Sequence, residues 1–256
     1  MINNPKYKIV IFGDLPIASK VGNYLLNHEK SELVGAVIGN RTPTNNDPWD
    51  DGILLEEFCK QNSIPTYNLK EFLESFKVKE LDLGLSCRFS KILKKDHIDV
   101  FKLGMVNFHG GLLPEFGGLY SSCHTILEKS PVGGGTIHFI DEGIDTGNII
   151  TRCEFPVTDH DTTSTVFRKT QLALLEGFIK IFDDLVAEKI NSFDQKELVQ
   201  QGYPKRYFDK HSLQGKKEFD LNDPHSTIDL KIRAFDFPGQ EPAYFRIGNV
   251  KYFVRK

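Results

Sequence analysis

The chain has 256 residues, 39% apolar and 26% charged, the make-up of a globular protein with one large domain or a main domain and a small appendage. Its 32 basic and 35 acidic side chains leave a formal charge of −3. No broad positive field is expected, which argues against nucleic acid as a partner. No apolar run approaches the ~18 residues needed to cross a bilayer, and the first residues lack the basic and long apolar segments of a signal peptide. Four scattered cysteines without a Cys-x-x-Cys pair read as reduced thiols, so a cytoplasmic protein with no membrane partner is expected.

Residues 8–13 (KIVIFG) are a β-branched apolar run ended by glycine and predict a buried strand. Residues 16–27 carry Ile17, Val21, Tyr24 and Leu25 at helical spacing, and 33–39 (LVGAVIG) predict a second buried strand. The stretch 40–52, rich in Asn, Asp, Pro and Thr, predicts a loop. A helix is predicted over 53–62 with Leu54, Leu55 and Phe58 inward, then a short strand at 64–67, a helix at 69–76 and a strand at 81–86. Strands alternating with helices predict a mostly parallel sheet with helices on both faces, a Rossmann-like α/β architecture. Ligands of such sheets bind beyond the carboxyl ends of the strands, which directs attention to 13–14, 39–41, 86–90 and the segment after Val106. The first turn, GDLPIAS, is not Gly-x-Gly-x-x-Gly, so a dinucleotide fingerprint is unsupported.

Residues 163–189 predict one long amphipathic helix with Val166, Leu172, Leu175, Phe178, Ile179, Phe182 and Leu185 as its core stripe. After Asn191 the chain turns to short polar pieces punctuated by Pro and Gly and ends in a predicted strand at 250–254. Two units are expected, a catalytic domain over 1–190 and a small α+β appendage over 191–256.

The informative stretch is 105–150, MVNFHGGLLPEFGGLYSSCHTILEKSPVGGGTIHFIDEGIDTGNII. Asn107 and His109 are two apart on a predicted strand and so share a face. A second strand predicted over 136–140 leads into a turn-rich loop that carries Asp145. Acyl transfer to an amine needs a donor for the tetrahedral oxyanion, which an Asn amide supplies. It needs a base for the attacking ammonium, the usual work of His near neutral pH. A carboxylate then fixes the imidazole tautomer or stabilises the imidazolium. Taken singly, Asn107 and Asp145 read as turn formers, His138 as a structural strand residue and His124 as a helix residue without a partner. The spacing of His109, His124 and His138 demands no metal site.

Two separated motifs, NFHGGLLPEFGG and TIHFIDEGIDTGNII, resemble the folate-dependent formyltransferases: Asn-x-His, then Leu-Pro and a Gly-containing loop, then a strand leading to Asp-x-Gly. Asn107, His109, Leu113, Pro114, Gly118, Asp145 and Gly147 take those positions. The likeness runs back through RFSKIL at 88–93 and covers roughly 8–190. It implies a Rossmann-like catalytic domain, Asn107, His109 and Asp145 as catalytic residues, and N10-formyltetrahydrofolate as co-substrate without a metal. Folate contacts are then expected at Ser86, Arg88, Ile92, Leu93, Asp141, Gly143 and Ile144. The chain departs from the family at Gly117–Gly118, where Arg-Gly is frequent.

The tail RAFDFPGQEPAYFRIGNVKYFV resembles the short appendage of sugar N-formyltransferases. That resemblance implies a nucleotide-linked amino-dideoxy sugar as acceptor, in the assembly of a surface polysaccharide such as lipopolysaccharide O-antigen, and a possible homodimer. Lys205, Arg206, Tyr207 and Arg233 are then candidates for the pyrophosphate, and Gly110 and Tyr120 for the rest of the acceptor. Methionyl-tRNA, glycinamide ribonucleotide and an inactive folate or nucleotide-sugar binder remain as alternatives.

Overall fold

A computed structural model describes residues 6–39 and 46–256; residues 40–45 of the predicted loop lie outside the described residues. In chain order the elements are β1 (Tyr7–Gly13), α1 (Pro16–Leu26), β2 (Ser31–Ile38), α2 (Leu55–Gln61), β3 (Thr66–Tyr67), α3 (Leu69–Ser75), β4 (Leu83–Cys87), α4 (Lys95–Ile98), β5 (Met105–His109), β6 (Gly117–Gly118), α5 (Ser121–Leu127), β7 (Val132–Phe139), β8 (Ile149–Pro156), α6 (Thr163–Val186), α7 (Gln195–Gln200), β9 (Tyr207–Phe208), α8 (His225–Ala234), β10 (Ala243–Ile247) and β11 (Val250–Val254). Seven strands make one sheet in the order β3-β2-β1-β4-β5-β7-β8. The first five run parallel, whereas β7 and β8 are antiparallel additions at one edge.

Alternation along β5 sorts the sheet into two sides. Val106 and Phe108 join the larger core, with Ile17, Val21 and Leu25 of α1 and Leu174, Phe178 and Phe182 of α6. Met105 points the other way, into a second core with Phe12, Phe72 and Phe101. Asn107 and His109 share that second side at the carboxyl end of the strand, because strand side chains repeat every two residues. The four cysteines are free thiols, and burial pushes Cys59 and Cys153 up to about 11 and Cys123 to about 12.

Two expectations need correction. The strand predicted over 136–140 starts earlier, at Val132, and runs through Gly133, Gly134 and Gly135. A side chain at Gly134 would strike Cys153 and Leu112, and one at Gly135 would strike Leu174; glycine here lets a neighbouring strand and a helix approach closely. Strand β8 has no counterpart among the predicted elements. In the long helix, Leu172 and Ile179 are exposed, while Phe167, Thr170, Gln171 and Leu174 are buried in their place. Only one side of α6 meets the sheet, and the stripe drawn from sequence was too wide.

Beyond α6, the hairpin β10–β11 and helix α8 build a third core. There Phe219, Ala234, Phe235 and Ala243 pack with Cys123 and Ile126 of α5 and Val166 of α6. The segment before it binds back onto earlier parts of the chain: Phe193 exchanges two backbone bonds with Ile149 of the main sheet, and β9 pairs with β6 in a separate two-stranded sheet. No helix among the described residues is long and apolar enough to cross a membrane.

Candidate active site

Register alone brings three polar side chains together. Ser86 of β4 lies opposite Asn107, and His138 of β7 lies opposite Asn107 on the other flank. The Ser86 hydroxyl donates to Asn107 Oδ1 at 2.9 Å, and Asn107 Nδ2 lies 3.1 Å from His138 Nε2. His138 Nδ1 is 2.8 Å from the Phe139 carbonyl. A carbonyl only accepts, so Nδ1 carries the proton and Nε2 of the neutral ring is bare. Asn107 therefore donates one amide proton to His138, and its second N–H is left for the site.

The loop between β7 and β8 delivers Asp145, whose φ of +55° is the left-handed region. Its Oδ2 accepts the Gly118 amide at 2.9 Å and lies 3.4 Å from His109 Nδ1. His109 Nε2 is 2.7 Å from the Phe116 carbonyl, which makes Nε2 the protonated nitrogen of the neutral ring and Nδ1 the one able to take a proton. The tautomer is thus set by a backbone carbonyl of the glycine loop, not by the carboxylate. Asp145 Oδ1 lies 3.8 Å from His138 Nε2; with that nitrogen bare, this contact is not an ion pair. His138, a plain strand residue by sequence, is seated between Asn107 and Asp145.

The glycine loop that presents the Phe116 carbonyl and the Gly118 amide is held from behind. Thr136 Oγ1 donates to the Gly111 carbonyl at 2.8 Å and accepts the Leu113 amide at 2.9 Å. Arg152 clamps Glu115 with two bonds of 2.7 and 2.8 Å, and also donates to the Leu113 carbonyl at 2.6 Å. Gly118 has φ +85°, and a Cβ there would collide with the backbone of Phe208; only glycine meets both demands.

Of the expected folate contacts, Ser86 is buried and engaged with Asn107. Ile92 and Ile144 are large apolar residues left exposed on their loops, and Leu93 packs against the second core. The Asp141 carboxylate accepts from the Gly143 amide at 3.0 Å and Thr146 Oγ1 at 2.6 Å, shaping the loop that carries Asp145. Arg88, in the left-handed region, lays its guanidinium 4.9 Å over the Phe167 ring, next to Gly110.

The expected acceptor residues divide. Tyr120 is exposed and left-handed at the start of α5. Lys205 and Tyr207 are exposed, and Arg206 pairs with Glu128 at 3.2 Å. Arg233 is not brought to the site: it is buried, with Nε 2.7 Å from Asp229 and Nη1 3.1 Å from the Asp161 carbonyl. A buried guanidinium must be paired, and here the partners come from the protein. His124, likewise without a partner in sequence, stacks on Phe208 at 3.6 Å and meets Ser212 Oγ at 2.9 Å. Among the described residues, no group of three or more His, Cys, Asp or Glu is placed to hold a metal ion.

Burial pushes His138 down to about 4, helped by the neighbouring His109, and burial with Lys216 nearby does the same to His124. The unfolded chain takes up these protons near 6.5. Between the two values the unfolded state holds more protons, so this contribution to stability is complete above pH 6.5 and falls as pH drops towards 4. The expected loss is on the order of 1–3 kcal/mol for each ring. Urea unfolding at pH 7 and 4.5 measures it, and His124→Gln should flatten the difference; an unaltered pH dependence would discount His124.

An α/β sheet that gathers an amide, an imidazole and a carboxylate at the carboxyl end of one strand defines a polar site suited to group transfer. The sequence profile of the formyl transferase family matches residues 28–181, more than half of the chain, and the chain belongs to that family. The methionyl-tRNA formyltransferase of Listeria monocytogenes is 28% identical over 177 residues, which are 67% of this chain and 55% of that protein. The chain thus spans about half the length of that relative. A 4-N formyltransferase from Francisella tularensis shares the fold, with a TM-score of 0.77 at 22% identity over 98% of this chain and 97% of the other. An N-formyltransferase from Helicobacter canadensis, solved with folinic acid and dTDP-3-aminofucose, is 25% identical with a TM-score of 0.72, over 96% and 86% of the two chains.

Proposed function

We propose that the chain transfers a formyl group from N10-formyltetrahydrofolate to the amine of a nucleotide-linked amino-dideoxy sugar, with Asn107, His109 and Asp145 as the catalytic residues. The observation that carries this reading is the assembly of the three groups: an amide with one uncommitted N–H, an imidazole with Nδ1 open, and a carboxylate 3.4 Å from that nitrogen. His109 Nδ1 accepts the proton that the acceptor ammonium must lose. The amine attacks the formyl carbon, and Asn107 Nδ2 donates to the oxygen as charge develops on it. Collapse breaks the bond to N10 of the folate, which leaves with a proton, and Asp145 stabilises the imidazolium that carries it.

The exposed Ile92 and Ile144 support an apolar slot for the pterin ring, flanked by Arg88, Leu93, Asp141 and Gly143. The sugar acceptor is supported by the neighbour solved with folinic acid and dTDP-3-aminofucose, and by a fold match that includes the C-terminal appendage. On this reading Gly110, Tyr120, Lys205, Arg206 and Tyr207 face the acceptor, and Arg233 drops out. Thermal-shift measurements with folinic acid present and dTDP, UDP or GDP added in turn test it. One nucleoside diphosphate should raise Tm, because a ligand held only by the folded state stabilises it by mass action; failure of all three removes the sugar acceptor.

A second reading, methionyl-tRNA as acceptor, draws on the sequence relatives. Its signature is formyl transfer to charged tRNA whose affinity falls steeply with salt, since each phosphate contact releases counterions. The net charge of −3 weighs against it.

A further inference from the structure

Asp145 is the one member of the trio held in a backbone conformation that non-glycine residues rarely adopt. A side chain from far along the chain meets it there. Gln195, buried at 4% exposure, donates both amide protons into the loop, to the Asp145 carbonyl at 2.8 Å and to the Gly147 carbonyl at 3.0 Å. Its own backbone is pinned on both sides. Phe193 exchanges bonds of 2.9 and 3.0 Å with Ile149 at the start of β8. Asp194 caps α7 by accepting the Lys196 amide at 2.8 Å.

The carboxylate itself accepts the Gly118 amide. Gly118 belongs to β6, whose pairing partner β9 lies in the same segment after α6, and the Leu119 amide donates to Phe208 at 2.7 Å. The backbone of Asp145 and the strand that receives its carboxylate are therefore both anchored by residues 193–208.

We propose that Gln195 is a positioning residue for the Asp145 carboxylate, and that the segment 193–208 sets the geometry of the site rather than merely linking the main sheet to the appendage. This rests on the functional reading above. Without the two bonds, the Asp145 loop is free to relax from its left-handed turn, and the carboxylate drifts from His109 Nδ1. Misplacement by about 1 Å costs on the order of a hundredfold in rate.

The test uses Gln195→Met, which keeps length and apolar bulk but removes both donors, together with Asp145→Asn and the double variant. Formyl transfer is followed with N10-formyltetrahydrofolate and 3-amino and 4-amino dideoxysugars carried on the nucleoside diphosphate that raises Tm, and the variants are compared on the acceptor that wild type turns over. Gln195→Met should lower kcat by roughly 10- to 100-fold with KM for both substrates little changed. The double variant should be no slower than Asp145→Asn alone, because Gln195 acts only through that carboxylate. Gln195→Glu supplies a further signature: a carboxylate facing two carbonyl oxygens has no proton to give, so its activity relative to wild type should recover as pH falls and the acid gains an O–H. This second variant decides the matter if the methionine variant does not fold. Wild-type kcat in Gln195→Met, losses that multiply in the double variant, or a pH-independent deficit in Gln195→Glu overturns the positioning role. A wild-type protein that formylates no amine overturns the functional reading instead.

Discussion

Asn107→Ala should lower kcat by about 10²- to 10³-fold while leaving KM for folate and acceptor close to wild type. Oδ1 accepts from Ser86, and one of the two N–H groups donates to the bare Nε2 of His138. The remaining N–H is preorganised, so it stabilises the oxyanion without reorganising as charge appears. Its value lies in the transition state, and truncation therefore falls on kcat. Asn107→Asp is the sharper variant, because it keeps shape and the Ser86 partner but puts a negative oxygen where the donor stood; it should be at least as slow as the alanine variant. Steady-state kinetics at pH 7 decide the matter, with circular dichroism to confirm the fold. A loss under tenfold in both variants would remove Asn107 from the oxyanion role.

How far the site was legible in sequence follows from the range of the interactions. A strand ahead of the glycine loop is legible as the short apolar run 105–108, and the shared face of Asn107 and His109 follows from their spacing of two, both local signals that need no partner. The contribution of His138 did not. Opposite Asn107 in an antiparallel register, it becomes visible only once the pairing is known, and a shift of one residue would turn it to the other face. Gln195 was less legible still. Asp194 and Glu197 form a recognisable capping box, which marks Gln195 as the first residue of a helix, but nothing nearby announces that its amide reaches residues 145 and 147.

Arg233 carries the opposite lesson. Asp229 stands four residues before it on α8, the spacing of an intrahelical ion pair. That local signal was present and pointed away from a ligand. Leu172 and Ile179 were misread because the apolar period of α6 extends past the arc that the sheet covers. Glycines hid the first half of β7, since strand propensity penalises the residues that close packing requires there.

The second large effect is expected at His109. The Phe116 carbonyl holds its Nε2 proton, so the ring offers Nδ1 alone to the acceptor ammonium, beside the Asp145 carboxylate. His109→Ala removes the base and should reduce kcat by about 10²- to 10⁴-fold. Added imidazole should restore part of that rate, since a small base can enter the space the side chain vacates; the same addition should do nothing for Asn107→Ala, which lacks a donor and not a base. Asp145→Asn should be slower than wild type with the tautomer of His109 intact, because Phe116 and not Asp145 sets it, and should therefore lose less than His109→Ala. That ordering separates a carboxylate that stabilises the imidazolium from one that itself removes the proton. Equal losses in His109→Ala and Asp145→Asn, with no rescue of the former by imidazole, would transfer the base role from the imidazole to the carboxylate.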